Sequence, residues 1–214
     1  MSGPEVNRPV VVLTGFAPFG ADSTNPSWEA VQQLAHGWDA GREGIELVVE
    51  ELPVTFAEVR GRLSRLLQEH SPQLLLPVGL AAGTPAVRLE RVAVNLCDAR
   101  IPDNSGEQPV DVEVVPHGAP ALFTTLPVKA MQGGLAEQKL RVDLSLTAGS
   151  FVCNAAMFHA LDLTHMLATR SGFIHVPDEA AMDVLAVAEV LGALIRVGIA
   201  HEGPDLAVAG GAIS

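Results

Sequence analysis

Pro9-Val10-Val11-Val12-Leu13-Thr14-Gly15 is a continuous apolar run that ends at a glycine. A strand with one wet face alternates apolar and polar residues. An unbroken run of this length reads instead as a strand buried on both faces, as in a parallel sheet covered by helices. A Gly/Pro/Asn-rich loop, 16–24, follows. Asn25-Pro26-Ser27-Trp28-Glu29 then reads as a helix start. Asn25 can cap, Pro26 fits the first helical position, and Glu29 suits the positive end of the dipole.

Working outward, strand and helix signals alternate. Residues 45–52 read as a strand, and 56–69 as a helix with Val59, Leu63, Leu66 and Leu67 on one face. Leu74-Leu75-Leu76-Pro77-Val78-Gly79 is a second buried strand ending in glycine. Residues 89–96 alternate enough for a strand, and 97–109 and 116–120 are loops rich in turn residues. A helix over 128–140, weakened by Gly133-Gly134, precedes a strand over 142–146 and a turn at 147–150. A helix over 153–167, a short strand over 172–177 and a last helix over 180–199, with Asp178 and Glu179 near its start, complete the pattern. The expected architecture is α/β: a three-layer α/β/α sandwich with a twisted, mostly parallel mixed sheet, formed as one domain over residues 1–214. Sites in such folds lie at the carboxyl ends of the strands.

Composition narrows the function. The 214 residues are 48% hydrophobic and 18% charged, which excludes a disordered acidic tail protein. Acidic residues number 25 against 13 basic, a net charge of −12. A nucleic-acid binder needs Lys/Arg stripes, so none is expected as a partner. The first eight residues carry no secretory pattern, and the apolar run at 184–195 is broken by Glu189 and Gly192. That run falls short of the roughly 18 residues of a membrane span, so a cytoplasmic protein without membrane contact is expected. Two cysteines, Cys97 and Cys153, do not make a disulfide scaffold. Either is open to reading as a buried small residue or as a reactive thiol.

Local context ranks them. In Thr147-Ala148-Gly149-Ser150-Phe151-Val152-Cys153-Asn154 a glycine turn feeds a helix at or near Cys153. A thiol there meets unpaired N–H groups and the positive dipole end, which favour the thiolate and could hold an oxyanion. The competing reading is a small buried residue beneath a helix. His175, in Phe173-Ile174-His175-Val176-Pro177, sits where a sheet-rim general base would stand, or is simply a hydrogen-bonded rim histidine. Glu90, between Arg88 and Arg91, is kept ionised by its flanks and can orient an imidazole, or is a solvated ion pair. Cys97 lies beside Asp98, which disfavours its thiolate. The other histidines show no metal spacing, with His159 and His165 on different helix faces. No metal or cofactor is expected.

Four blocks, in order, resemble the pyroglutamyl peptidase I (pyrrolidone-carboxylate peptidase) family. They are Leu13-Thr14-Gly15-Phe16-Ala17-Pro18-Phe19-Gly20 running on to Asn25-Pro26-Ser27-Trp28-Glu29; Glu90-Arg91-Val92-Ala93-Val94-Asn95 with Ala99-Arg100-Ile101-Pro102-Asp103-Asn104; the segment around Cys153; and Gly172-Phe173-Ile174-His175-Val176-Pro177. The resemblance implies a cysteine peptidase acting on pyroglutamyl peptides, with Cys153 as nucleophile, His175 as base then acid, and Glu90 orienting the imidazole. It further implies Arg100 near the oxyanion and an apolar slot for the lactam formed by Phe16, Phe19, Ile101, Phe151 and Val152, with Asn25 supporting the first loop. A homotetramer is implied as well. The chain departs from the family pattern at Ala21, at Leu80, where Gln is common, and after Pro177, where an aromatic usually follows and Asp178 stands here. Two other readings remain beside it. One is a family member without activity that binds pyroglutamate or serves in an assembly. The other is a nucleoside-phosphorylase-like enzyme, for which the Gly-rich loops lack a neighbouring Lys.

Overall fold

The computed structural model describes residues 8–210, so Met1–Asn7 of the N-terminal reading and the last four residues lie outside the described residues. The first apolar run forms β1 (Val10–Phe16) and feeds α1 (Pro26–Gly37). Asn25 caps α1, its side chain accepting from Ser27 N. A short helix α2 (Ala40–Glu43) leads to β2 (Glu46–Leu52), α3 (Phe56–His70) and β3 (Leu74–Leu80). Then come β4 (Val87–Glu90), β5 (Val92–Val94), β6 (Ala121–Phe123), α4 (Val128–Glu137) and β7 (Val142–Ser145). The chain closes with α5 (Val152–Thr164), β8 (Arg170–Ser171), β9 (Phe173–Val176) and α6 (Val184–Ala200).

The main sheet runs β2-β1-β3-β9-β4-β7, with β8 pairing β3. Every pairing is parallel except β4 with β9. The sheet is therefore mixed and mostly parallel, and helices cover both faces. Val11 and Leu13 join one core with Val31 of α1, Met131 of α4 and Leu191 of α6. Val12 and Phe16 join the other, with Leu63 of α3 and Met157 of α5. The four apolar residues expected on one face of α3, Val59, Leu63, Leu66 and Leu67, are its buried residues. Close approach of α1 to β1 depends on Gly15, where a Cβ would fall 2.5 Å from the Trp28 backbone.

The structure differs from the sequence reading at one important element. Residues 89–96 are not one strand. The chain leaves the main sheet at Arg91: its N–H still bonds Ser145 O (2.9 Å), while its carbonyl already accepts from Thr124 N (3.0 Å). β5 then pairs antiparallel with β6, a three-residue strand too short to show in the sequence pattern, in a separate two-stranded sheet. On its other edge β5 is completed by a side chain. Asn154 Oδ1 accepts from Val94 N (3.0 Å), and its Nδ2 donates to Val94 O (2.9 Å) and Leu96 O (3.0 Å). α6 starts at Val184 rather than 180, because Asp183 caps it by accepting from Ala186 N (2.8 Å). α4 stops at Glu137, two residues before Lys139 takes a left-handed backbone.

Two long-range polar contacts fix helices. Pro127 gives α4 no side-chain cap, and Asp205 of the tail supplies it, accepting from Lys129 N and Ala130 N (both 3.0 Å). Between α3 and α5, Arg60 Nη1 donates to Asp162 Oδ2 (2.8 Å) and to buried His159 Nδ1 (3.1 Å). A guanidinium only donates, so Nδ1 accepts and the neutral ring carries its proton on Nε2. Burial first, and the Arg60 charge second, push His159 down to about 4, with Asp162 opposing.

Two outcomes follow from these contacts. Asp205→Ala should cost about 1 kcal/mol, the usual loss for a helix cap, and lower the thermal midpoint by a few degrees in calorimetry. For His159 the folded pKa lies below the unfolded value of 6.5, so its contribution is present above pH 6.5 and is lost as pH falls toward about 4. Denaturant titrations at pH 7 and pH 5 should show a smaller acid loss for His159→Gln than for the unsubstituted protein.

Candidate active site

The strand order places three elements side by side. In β3 and β9, Gly79 is level with His175; in β9 and the antiparallel β4, His175 faces Arg88 and Phe173 faces Glu90. Side chains alternate along a strand, so Glu90, two residues beyond Arg88, shares a face with His175 and lies diagonally across from it. His175 Nδ1 and Glu90 Oε1 are 2.8 Å apart. Both side chains are buried, that of Glu90 to 1% exposure.

This corrects the picture of Glu90 drawn from its neighbours. It is the last residue of β4, not the start of a strand, and neither Arg88 nor Arg91 lies within salt-bridge distance of it. Its partner comes from 85 residues away. Its second oxygen, Oε2, is buried without a protein hydrogen-bond partner. The imidazole is braced by Phe173, edge-on at 4.9 Å between ring centres.

Cys153 is the second residue of α5. The cap residue Phe151 offers no side-chain acceptor, and no acidic residue stands in the first turn. The first bond into the helix runs from Ala155 N to Phe151 O (3.1 Å), so the N–H groups of Val152, Cys153 and Asn154 precede it. Asn154 ties this helix start to β5. Gly79 makes room for the thiol: a Cβ there would lie 2.8 Å from Cys153 Sγ and 2.9 Å from Phe173 Cζ. Burial alone would push the His175 imidazole down. The interactions with Cys153 and then Glu90 outweigh it and raise the ring to about 9.

Beside the thiol and imidazole opens a cavity of about 250 Å³. Of the residues expected in a substrate slot, Phe16, Phe19, Asn25, Phe151 and Val152 line it. Phe151 packs 5.2 Å from both Phe19 and Phe56. Asn25 spends its polar atoms on the loop: Nδ2 donates to Ala17 O (3.0 Å), and Oδ1 accepts from Ser27 N (3.1 Å) and Ser27 Oγ (2.8 Å). Arg100 and Ile101 stand apart from the lining on the following loop, exposed, Ile101 to 51%. Val54, Leu80, Ala148, Asp22 and Thr24 also line the cavity. Leu80 is a departure from the family pattern and Ala148 lies in the segment around Cys153, whereas Val54, Asp22 and Thr24 carry no sequence signal of a site.

Cys97 separates from Cys153 by burial. It is bridged to Val112, and burial pushes its thiol up to about 11. Desolvation, rather than the neighbouring Asp98, is what disfavours its thiolate. Among the described residues no group of three or more His, Cys, Asp or Glu is placed to hold a metal ion.

Chemically this is the layout of a thiol hydrolase, built on an α/β/α sandwich. Comparison with known proteins narrows the class. The pyroglutamyl peptidase family matches residues 9–188. A pyrrolidone-carboxylate peptidase of Pseudomonas fluorescens strain SBW25 is 47% identical over 171 residues, 78% of each chain. One of Clavibacter michiganensis is 39% identical over 215 residues, 96% of this chain and 99% of the relative. The crystal structure of pyroglutamyl peptidase I from Bacillus amyloliquefaciens superposes with a TM-score of 0.86 at 32% identity, covering 94% of this chain and all of that one. The chain belongs to the pyroglutamyl peptidase family.

Brief treatment of the native protein with iodoacetamide near pH 7 should therefore label Cys153 and spare Cys97, as read by peptide mass mapping. Labelling of Cys97 first would contradict this reading of the two thiols.

Proposed function

We propose that this protein removes the N-terminal pyroglutamyl residue from peptides, with Cys153, His175 and Glu90 as its catalytic groups. The observation that carries this is the thiol and carboxylate-bonded imidazole opening onto a cavity walled by Phe16, Phe19 and Phe151. A lactam is neutral, so an apolar slot accepts it. An ordinary amino terminus would bring an ammonium that such a wall cannot solvate. Besides the imidazole, the one charged lining residue is Asp22, and it is exposed.

With His175 raised to about 9 by its interactions with Cys153 and Glu90, the ring holds a proton at neutral pH. The sulfur attacks the pyroglutamyl carbonyl carbon, and the oxygen becomes an oxyanion beside the N–H groups at the start of α5. His175 gives its proton to the departing amine, the carbon–nitrogen bond breaks, and a thioester remains. The ring, now neutral, takes a proton from water, and hydroxide transfer to the carbonyl releases pyroglutamate and restores the thiol pair. Glu90 holds Nδ1–H throughout and stabilises the imidazolium. Arg100, expected near the oxyanion, and Ile101, expected in the slot, lie outside the cavity lining and carry no step here.

The free Cys97 and Cys153 support action in a reducing compartment, the cytoplasm. The family resemblance supports a homotetramer, which sedimentation would test.

A pyroglutamyl-arylamide assay tests the proposal. Cys153→Ala and His175→Ala should abolish turnover, and Glu90→Gln should lower kcat by about a thousandfold or more. Since the active form carries the imidazole proton, kcat/KM should fall as pH rises through about 9. Pyroglutamate binding without turnover in the unsubstituted protein would favour a binding role instead.

A further inference from the structure

Asp103 is a charged residue that touches neither thiol nor imidazole, yet it is only 5% exposed. Its Oδ1 accepts from Ser105 N (2.8 Å), Ser105 Oγ (2.8 Å) and Glu107 N (2.9 Å). Its Oδ2 accepts from Phe56 N (2.8 Å), 47 residues away in sequence. The local cap residue of α3, Thr55, makes no side-chain cap bond, so Asp103 caps that helix from another loop. Burial pushes its carboxyl up, but these bonds outweigh it and hold the group below the usual range. The next residue reaches further. Asn104 N donates to Val54 O (3.0 Å), and Asn104 Nδ2 donates to Pro18 O (2.9 Å). Val54 lines the cavity, and Pro18 adjoins the lining Phe19. Phe56, whose N–H rests on Asp103, is the ring against which Phe151 packs edge-on.

From these contacts we propose that Asp103 and Asn104 are positioning residues: they latch the 99–109 loop to two lips of the cavity, the 16–24 loop and the start of α3, so that the fit of the pyroglutamyl ring depends on residues that do not line the slot. This rests on the pyroglutamyl reading above. The latch joins three segments that are far apart in the chain and share no strand pairing. Without it, Phe19 would still rest on Phe151 and Val54 in the core, but no hydrogen bond from the 99–109 loop would fix the 16–24 loop and the start of α3 relative to each other.

The test uses the full chain with Asn104→Ala and Asn104→Asp. Asn104 is exposed, so both variants should fold, with little change in thermal midpoint. Losing the neutral hydrogen bond from Asn104 Nδ2 to Pro18 O should raise KM for a pyroglutamyl arylamide by about 3- to 10-fold, with kcat within about twofold. Asp at this position turns a donor into an acceptor against Pro18 O, so it should give no rescue. Amide hydrogen exchange over 16–24 should quicken in both variants. Unchanged KM with unchanged exchange, or a fall in kcat at constant KM, overturns the latch. If the unsubstituted protein does not turn over the arylamide, the pyroglutamyl reading fails, and the exchange measurement alone decides whether the latch holds the loop.

Discussion

One buried hydrogen bond sets the terms for the rest of the structure: that between His175 and Glu90, made across the single antiparallel pairing of the main sheet. In a wholly parallel sheet every strand delivers its last residue to the same rim, where a carboxylate would be hydrated. Because β4 runs against β9, its last residue faces Phe173, below the rim and inside the fold. An ionised carboxylate there is tolerable only with a close partner, and a protonated imidazole is such a partner. Each group therefore makes the other's burial possible. Removal of either leaves a charge or a dipole without compensation in the core.

The thiol has to be brought to that pair from the opposite layer. Helix α5 supplies it, and its start is fixed by Asn154, whose amide completes the open edge of β5 as another strand would. The sequence neighbour of Cys153 thus serves as its anchor. Gly79 completes the geometry by leaving empty the volume that Cys153 Sγ and the Phe173 ring approach. Pairing register, a missing Cβ and a side chain acting as backbone agree on one position for the sulfur. Such agreement across independent levels is what a pre-organised site requires.

Much of this was legible in local patterns. The run at β1, the Asn25-Pro26 start of α1 and the apolar face of α3 are short-range signals, and each led to the observed element. Cys153 and His175 could be singled out because a helix start and a strand end are themselves local features. Glu90 was identified, but for a reason the fold discards: flanking arginines matter less than a histidine 85 residues away. The division of 89–96 into two strands was hidden because Arg91 changes sheets through bonds to Ser145 and Thr124, which no window around it contains. Val54 and the capping roles of Asp103 and Asp205 were hidden for the same reason. Each acts through a contact whose partner is far along the chain.

The departure after Pro177 shows how a sequence difference can be absorbed. Asp178 begins a turn rather than a helix: its Oδ1 accepts from Ala181 N (3.2 Å), and α6 waits for the Asp183 cap. Its other oxygen accepts from Gly83 N (2.7 Å), joining the end of β9 to the loop that follows β3. Those two strand ends carry His175 and Leu80, which both line the cavity. At the position after Pro177 this chain places a hydrogen-bonded carboxylate that ties these two strand ends together. Leu80 in turn presents an apolar side chain to the cavity. In the cavity beside Cys153 and His175, Leu80 adds to an apolar wall otherwise formed by Phe16, Phe19, Val54, Ala148, Phe151 and Val152.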